Sequence, residues 1–194
     1  LVRLQRQSAL AIELCERVSA VPGGVNLAFL PQWQSGTDQG VDLALDECVR
    51  AGILEIHGQA VRFRHELARL AVHEMLAPLR KRALHAEILK VLQISPGVTP
   101  ARLVFHAVQA NQADAILRFA TAAGAEAARV GAHREAATHY ASALAHAELA
   151  SPQIRAELNE AWSYEAGLAM TVNQDVLNAR KCAVALWREL GDTK

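Results

Sequence analysis

One histidine in this sequence stands where its side chain could contact an anion. His65 follows the alternating run 61–64, in which apolar Val61 and Phe63 predict a half-buried strand. The residues after it have helical spacing, namely Leu67, Leu70, Ala71 and Met75. A helix start offers backbone N–H groups and a positive dipole end, which favour a phosphate. A helix cap or a packing role suits the same position, and local chemistry leaves these alternatives open.

The other histidines do not form a recognisable metal site. His73-Glu74 lacks a second histidine four residues after the first, so the zinc-protease helix is absent. His139 and His146 share a helix face but have no third ligand nearby in the sequence. The chain also has neither a Gly-x-Ser-x-Gly elbow nor a phosphate loop ending in Gly-Lys-Ser or Gly-Lys-Thr. We therefore predict no catalytic residue, no metal and no cofactor in this segment, which we interpret as non-enzymatic.

The composition indicates helices that pack through small side chains. Hydrophobic residues make up 52% of the 194 positions, whereas aromatic residues make up only 5%. Twenty basic residues balance twenty acidic ones, so no net charge attracts nucleic acid or anionic lipid. The three cysteines (Cys15, Cys48 and Cys182) have no close partner in the sequence, which indicates buried free thiols in a reducing compartment. We expect a cytoplasmic location without membrane contact, because neither a signal peptide nor an apolar run of roughly 20 residues occurs.

The first 93 residues have the order of elements of a winged helix. Apolar spacing predicts a helix over 2–20 and another over about 41–49, while 25–30 is ambiguous by period and 31–40 is polar and turn-rich. Strands are predicted at 53–56 and 61–64, with a spacing that suits a hairpin. Helices follow over 65–76 and from Pro78 to about 93. We predict a winged-helix-like domain with trailing helices at 1–93, followed by a linker at 94–99.

The remaining residues, 100–194, are predicted to form helices alone. Their expected bounds are 100–110, 113–130, 133–147, 154–170 and 173–190. Five residues have the separations of the tetratricopeptide pattern: Gly124, Gly131, Ala136, Tyr140 and Ala143. The small residues allow two helices to cross closely, and Tyr140 is expected to fill the groove between helices. The predicted fold class is therefore mainly α, a winged-helix-like module with a small β-hairpin followed by an α-α superhelix of partial tetratricopeptide-like pairs.

The charges on the helix predicted over about 41–49, which would be the recognition helix of a winged helix, argue against DNA binding. Asp42, Asp46 and Glu47 stand there against the single base Arg50, and carboxylates oppose the phosphate attraction on which such binding depends. A basic cluster at 80–82 is interpreted as a solvated helix face. We expect no direct nucleic-acid binding by this segment. The chain starts without a methionine and stops just after a helix, so we also expect an excised piece of a longer protein.

Four blocks of the sequence resemble the large ATP-binding, signal-transducing bacterial transcriptional regulators of the LuxR type. They are 61–72 (VRFRHELARLAV), 80–85 (RKRALH), 117–120 (LRFA) and 131–144 (GAHREAATHYASAL), and the resemblance covers residues 1 to about 190. In that family an ATPase domain precedes a winged helix, a tetratricopeptide-like superhelix and a DNA-binding domain. The resemblance implies a middle segment that couples an effector or protein partner on the repeats to the upstream ATPase domain of the same chain.

The resemblance also implies a role for His65. The residues Arg64-His65-Glu66 are similar to the Met-His-Asp segment of related nucleotide switches, whose histidine contacts the ADP phosphate. Arg64 replaces the methionine and Glu66 replaces the aspartate, so the match is partial. ATP or ADP would belong to the full-length protein, because this segment lacks the phosphate loop. The alternative is a free-standing tetratricopeptide-type scaffold for protein–protein interaction.

Overall fold

A computed structural model describes residues 3–30, 38–170 and 173–191, and the side chains of 38 and 39 are not included. Within these residues the chain forms nine α-helices, three short 3₁₀ turns and one three-stranded antiparallel sheet. The prediction of a mainly α fold with a small β-hairpin is confirmed. The chain divides into two compact units, Leu1–Ile94 and Ser95–Lys194.

The first helix, α1, spans Ala9–Ser19 and begins later than the sequence predicts. A 3₁₀ turn at Leu4–Arg6 precedes it, and Gln7 is extended. Ser8 caps α1, since its side chain accepts a hydrogen bond from the Ala11 N–H at 3.3 Å. The predicted helix over 2–20 is therefore wrong at its N-terminal end, because the Ser8 cap starts a new helix.

Two of the three strands match the predicted hairpin. The strands are β1, Val25–Asn26; β2, Leu54–His57; and β3, Ala60–Phe63. Their order in the sheet is β1-β3-β2, with Val25 opposite Val61 and Leu54 opposite Phe63. β1 lies in the stretch that periodicity left ambiguous, and a 3₁₀ turn at Leu27–Phe29 follows it. The turn-rich interpretation of 31–40 falls mostly outside the described residues.

The remaining helices of the first unit are α2, Asp38–Arg50; α3, Glu66–Met75; and α4, Pro78–Gln93. α1 packs against both α2 and α3. The first unit has a core of aliphatic side chains that are almost fully buried, including Leu14, Val18, Val25, Leu54, Leu84, Ile88, Leu89 and Leu92. These core side chains come from α1, from strands β1 and β2 of the sheet, and from α4.

The apolar residues that predict α3 point away from this core. Leu67 is 81% exposed and Met75 is 62% exposed, whereas Arg69 and Val72 are buried. Both sets recur at helical spacing, so the period fixes the helix but not its orientation. The orientation follows from Arg69, whose guanidinium donates to the Ser19 carbonyl at the end of α1, at 2.5 Å. This contact turns the charged residue inward and leaves the leucines outside.

The second unit contains α5, Pro100–Gln109; α6, Ala113–Arg129; α7, His133–Leu144; α8, Pro152–Leu168; and α9, Gln174–Glu189. Each helix packs against the next one in the sequence. The residues predicted as separators begin the later helices: Ser151 caps α8 and Asn173 caps α9 through their side-chain oxygens. α7 ends at Leu144, three residues before its predicted end, and a 3₁₀ turn at Ala147–Leu149 follows.

The turns after α5 and α6 have the same backbone geometry. Asn111 (φ 52°) and Gly131 (φ 75°) adopt left-handed conformations. The next N–H group donates back into the helix in both turns, from Gln112 to the Ala107 carbonyl at 3.0 Å and from Ala132 to the Ala127 carbonyl at 2.9 Å. This is the Schellman arrangement, which satisfies carbonyls that a helix end leaves unpaired. Gly131 thus ends α6, and a Cβ atom added to it would meet no atom within 4 Å, so it does not take part in a close helix crossing.

Candidate functional site

His65 lies at the junction where β3 ends and α3 begins. It occupies the N-cap position of α3, with φ −130° and ψ 122°. Its carbonyl accepts the N–H groups of Ala68 at 3.0 Å and Arg69 at 3.2 Å, but its side chain makes no capping hydrogen bond. The imidazole is exposed to solvent. Of the roles that the sequence left open, the structure supports neither a side-chain cap nor a packing residue.

Glu66, which follows His65, is held by a buried arginine. Arg69 Nη2 lies 2.6 Å from the Glu66 carboxylate, and Arg69 Nε lies 2.8 Å from it. The hydrogen bonds from Arg69 lower the pKa of the Glu66 carboxyl below its usual value. Arg69 is 8% exposed and also donates to Ser19, so it fixes the first turn of α3 against α1. Glu66 is therefore positioned by Arg69 and is not available as a free acid.

A cavity of about 330 Å³ opens beside this junction. Its charged lining consists of three arginines and two glutamates, namely Arg62, Arg64, Arg69, Glu55 and Glu66. Glu55 lies 2.9 Å from Arg62 Nε and 3.8 Å from Arg64 Nε. Three positive and two negative groups leave one net positive charge in the lining. His65 is placed in the chain between two of these lining residues, at the N-terminal end of a helix, where an anion is favoured.

The acidic residues of α2 take part in packing the first unit. The Glu47 carboxylate accepts the Ser8 N–H and the Ser8 hydroxyl, each at 2.6 Å. These bonds lower the pKa of the Glu47 carboxyl and place a negative charge at the N-terminus of α1. Asp42 and Asp46 are exposed on the same helix. This helix presents carboxylates and not a basic recognition surface.

The basic cluster at the start of α4 is engaged in ion pairs. Arg80 Nη2 lies 3.1 Å from the Glu16 carboxylate, and Lys81 Nζ lies 3.1 Å from Glu74. Such contacts between partly exposed groups contribute little energy but neutralise part of the local charge. Of the predicted solvated face, only Arg82 is exposed, whereas Arg80 and Lys81 are partly buried and paired with acidic residues.

Two histidines that the sequence places near this cluster stack inside the first unit. The ring centroids of His73 and His85 lie 5.5 Å apart, and the rings are nearly perpendicular at 89°. Burial, together with the nearby His73 and Lys81, lowers the pKa of His85 to about 4, so this ring is neutral at pH 7.

Among the described residues, no group of three or more His, Cys, Asp or Glu side chains is arranged to hold a metal ion. In the same residues, no helix is both long and apolar enough to cross a bilayer.

Tyr140 fills the groove between α6 and α7 in the second unit, as the repeat pattern predicts, and Gly124 faces its ring. Tyr140 is 7% exposed, and a Cβ atom added to Gly124 would lie 2.7 Å from its Cε1 atom. Ala136 and Ala143, one turn to either side of Tyr140, are fully buried. Gly124 thus lets α6 and α7 approach closely with the tyrosine ring between them. The buried Glu165 of α8 lies on the other side of α7, where its carboxylate is 2.7 Å from His133 Nδ1.

The next pair of helices, α8 and α9, encloses a groove of about 700 Å³. The small residue at the crossing is Ser163, and Arg180 extends towards its carbonyl at 3.5 Å. Aromatic and acidic side chains complete the walls of the groove, including Tyr164, Trp187, Glu157 and Glu160. The Trp187 indole N–H donates to the Glu160 carboxylate at 3.1 Å, and Tyr164 is 60% exposed. The groove presents apolar surface together with both signs of charge, a combination suited to binding a ligand or peptide.

No family model, curated protein or solved structure matches this chain. The functional proposal is therefore based on the geometry at His65 and its neighbouring cavity, and on the groove between α8 and α9. Sequence reasoning located His65 but missed Arg69, although the Glu66–Arg69 spacing of three residues is a known helical pair. It also missed the groove, because Tyr164 and Trp187 lie on two different helices and are far apart in the sequence.

Proposed function

We propose that this chain is the non-catalytic coupling segment of a LuxR-family, ATP-dependent transcriptional regulator. In this proposal, effector or partner binding on the helical repeats changes the nucleotide state of an upstream ATPase domain. The observation that supports the proposal is the His65 side chain, which is exposed at a helix N-terminus and makes no capping hydrogen bond. It lies in the chain next to residues that line a cavity with one net positive charge. These features fit a contact with the phosphate of ADP held by that domain.

The surroundings of His65 support this role through charge and position. Arg62 and Arg64 are about half exposed, so their guanidinium groups remain accessible despite the nearby Glu55. The buried Arg69 side chain links the first turn of α3 to the end of α1 through its hydrogen bond to the Ser19 carbonyl. An anion at this turn would meet the histidine ring, helix N–H groups and a positive field at the same time. The site thus combines an exposed donor with a rigid support.

The exposed apolar face of α3 supports contact with a neighbouring domain. Leu67, two residues after His65, is 81% exposed, and Leu70 and Met75 further along the helix are 41% and 62% exposed. Adjacent exposed apolar side chains commonly mark protein interaction surfaces. We assign this face to the upstream ATPase domain, so that the same domain contact covers the leucines and brings a nucleotide phosphate to His65.

The groove between α8 and α9 is our candidate for the effector or partner site. Its volume of about 700 Å³ is in the range of small-molecule pockets, and it also suits a short peptide segment. A free-standing scaffold is the second candidate function, and this same groove favours it. The two candidates differ in whether His65 has a nucleotide to contact.

The test compares His65→Ala with His57→Ala in the full-length regulator. His57, at the exposed hairpin, is the matched control because it is also solvent-exposed and belongs to the same unit. A charge-assisted hydrogen bond is worth ~1.5–3 kcal/mol, so His65→Ala should speed ADP release about 10-fold to 100-fold and raise basal transcription. His57→Ala should leave both quantities unchanged. Release is measured by displacement of a fluorescent ADP.

A second measurement uses this chain alone. His65→Ala should not lower its melting temperature, because the side chain is exposed and makes no capping hydrogen bond. If ADP release is the same for both full-length variants, His65 is not a phosphate contact and the nucleotide-switch proposal is wrong. If Trp187→Ala then still abolishes partner binding, the scaffold candidate is favoured.

A further inference from the structure

Two cysteines from different helices meet inside the first unit. Cys15 of α1 and Cys48 of α2 are both fully buried, and their Sγ atoms lie 3.4 Å apart. At this distance the two thiols form an S–H···S hydrogen bond in which either sulfur atom can donate, and both residues are free cysteines. They are 33 positions apart in the chain. The fold, and not the sequence spacing, therefore creates the pair.

We propose that Cys15 and Cys48 are a modification site at which a peroxide converts the two thiols to a disulfide that joins α1 to α2. A disulfide bond is about 2.0 Å long, so the sulfur atoms must approach by roughly 1.4 Å. The two sulfur atoms already face each other across the helix contact.

The two thiols have different roles in this reaction. Contact with Cys48 and burial raise the pKa of Cys15, which keeps its proton, while the hydrogen bond from Cys15 lowers the pKa of Cys48. We assign Cys48 as the group that forms the thiolate and attacks an oxygen of hydrogen peroxide, because its pKa is the lowered one of the two. The O–O bond breaks, Cys48 becomes a sulfenic acid, and hydroxide leaves and is protonated to water. Peroxide is also small enough to reach a buried group during local opening.

The second step closes the bond. Cys15 attacks the Cys48 sulfur atom, and the sulfenic hydroxyl leaves as water together with the Cys15 proton. The complete reaction consumes two thiols and one hydrogen peroxide, and it yields one disulfide and two waters. The cysteines are oxidised by two electrons and the peroxide is reduced by two. A thiol reductant such as dithiothreitol reverses the bond.

Cys182 supplies the internal control. It lies on α9 in the second unit and is partly exposed, so it is the cysteine most open to external reagents. The main test therefore uses the Cys182→Ser variant of the whole chain, treated with excess hydrogen peroxide under native conditions. We expect a mass loss of about 2 Da in the monomer, loss of both remaining thiols, and a peptide that links residues 15 and 48. The closed loop should also raise the melting temperature by on the order of 10 °C, reversibly with dithiothreitol.

Variants of the pair complete the experiment. Cys15→Ala should stop at a Cys48 oxidation product about 16 Da heavier, while Cys48→Ala should give no early reaction at the pair. The Cys182→Ser result does not depend on whether either of these variants folds. Absence of the 2 Da loss in folded Cys182→Ser, or its appearance only in denaturant, would overturn the proposal. A link between two chains instead of within one would also overturn it.

Discussion

Two helical pairs of the second unit, α6–α7 and α8–α9, differ in how the space at their helix crossing is occupied. In the pair α6–α7, a glycine faces a buried tyrosine ring, and the space between the helices is filled. In the pair α8–α9, Ser163 faces the guanidinium of Arg180, and a groove of about 700 Å³ stays open. A buried ring contributes hydrophobic energy, whereas a half-solvated arginine leaves room for water or a ligand. The first crossing is thus filled by a buried side chain, and the second leaves a groove open to water or a ligand.

The largest expected effect comes from removing the ring that fills the first crossing. Tyr140→Ala should lower the free energy of unfolding by ~3–5 kcal/mol, because it deletes a large buried aromatic group. Tyr164→Ala, at a 60% exposed tyrosine of the second pair, should change it by less than ~1 kcal/mol. Denaturant unfolding followed by circular dichroism measures both values. Equal midpoints for the two variants would contradict the difference between the pairs.

A smaller effect, with opposite signs in the two pairs, is expected from adding one methyl group. Gly124→Ala places a Cβ 2.7 Å from the Tyr140 ring and should destabilise the protein by ~1–3 kcal/mol, since neither the ring nor the helix can move away cheaply. Gly167→Ala places a Cβ 3.2 Å from Arg180 Nη2, the end of a flexible side chain. That variant should be neutral or more stable by up to ~1 kcal/mol, because alanine favours the helix. Destabilisation of similar size by both changes would show that the second crossing is as tightly packed as the first.

The smallest expected effect lies in the turns of the same two pairs. Gly131 (φ 75°) ends α6, and Met170 (φ 61°) occupies the corresponding left-handed position after α8. Gly131→Ala should cost ~1 kcal/mol, while Met170→Gly should stabilise the protein by up to ~1 kcal/mol, because only glycine adopts this conformation without strain. Thermal melting resolves shifts of this size. If Met170→Gly lowers the melting temperature, the methionine side chain contributes a contact that outweighs its backbone strain.

Cap and repeat signals in the sequence predicted much of this fold, because they act locally. Ser151 and Asn173 interrupt the apolar pattern and cap the helices that follow. The contact of Tyr140 with Gly124 follows from a repeat spacing in which both positions belong to one pattern. A contact between residues that are close in the sequence can be predicted, because the residue types and their spacing indicate it directly.

Features that depend on contacts between distant segments could not be predicted in the same way. Periodicity allowed either face of α3 to be buried, and the choice depends on Arg69 reaching Ser19, 50 positions away. Charged residues count as surface residues in any apolar pattern, so the burial of Arg69 could not be predicted from the pattern. The position of His65 was predictable from the strand and helix around it, but the arginine-lined cavity beside it was not.

The order in which segments pack also has a consequence for how fast each unit folds. In the second unit, each helix packs mainly against its successor in the chain, so a new contact closes only a short loop. The first unit must instead bring Val25 beside Val61 before its three-stranded sheet is complete. Closing long loops costs entropy before any contact compensates for it, and chains rich in local contacts fold faster by orders of magnitude. During synthesis the first unit emerges first but has the slower topology, so the later helices can become ordered while its sheet is still searching for register.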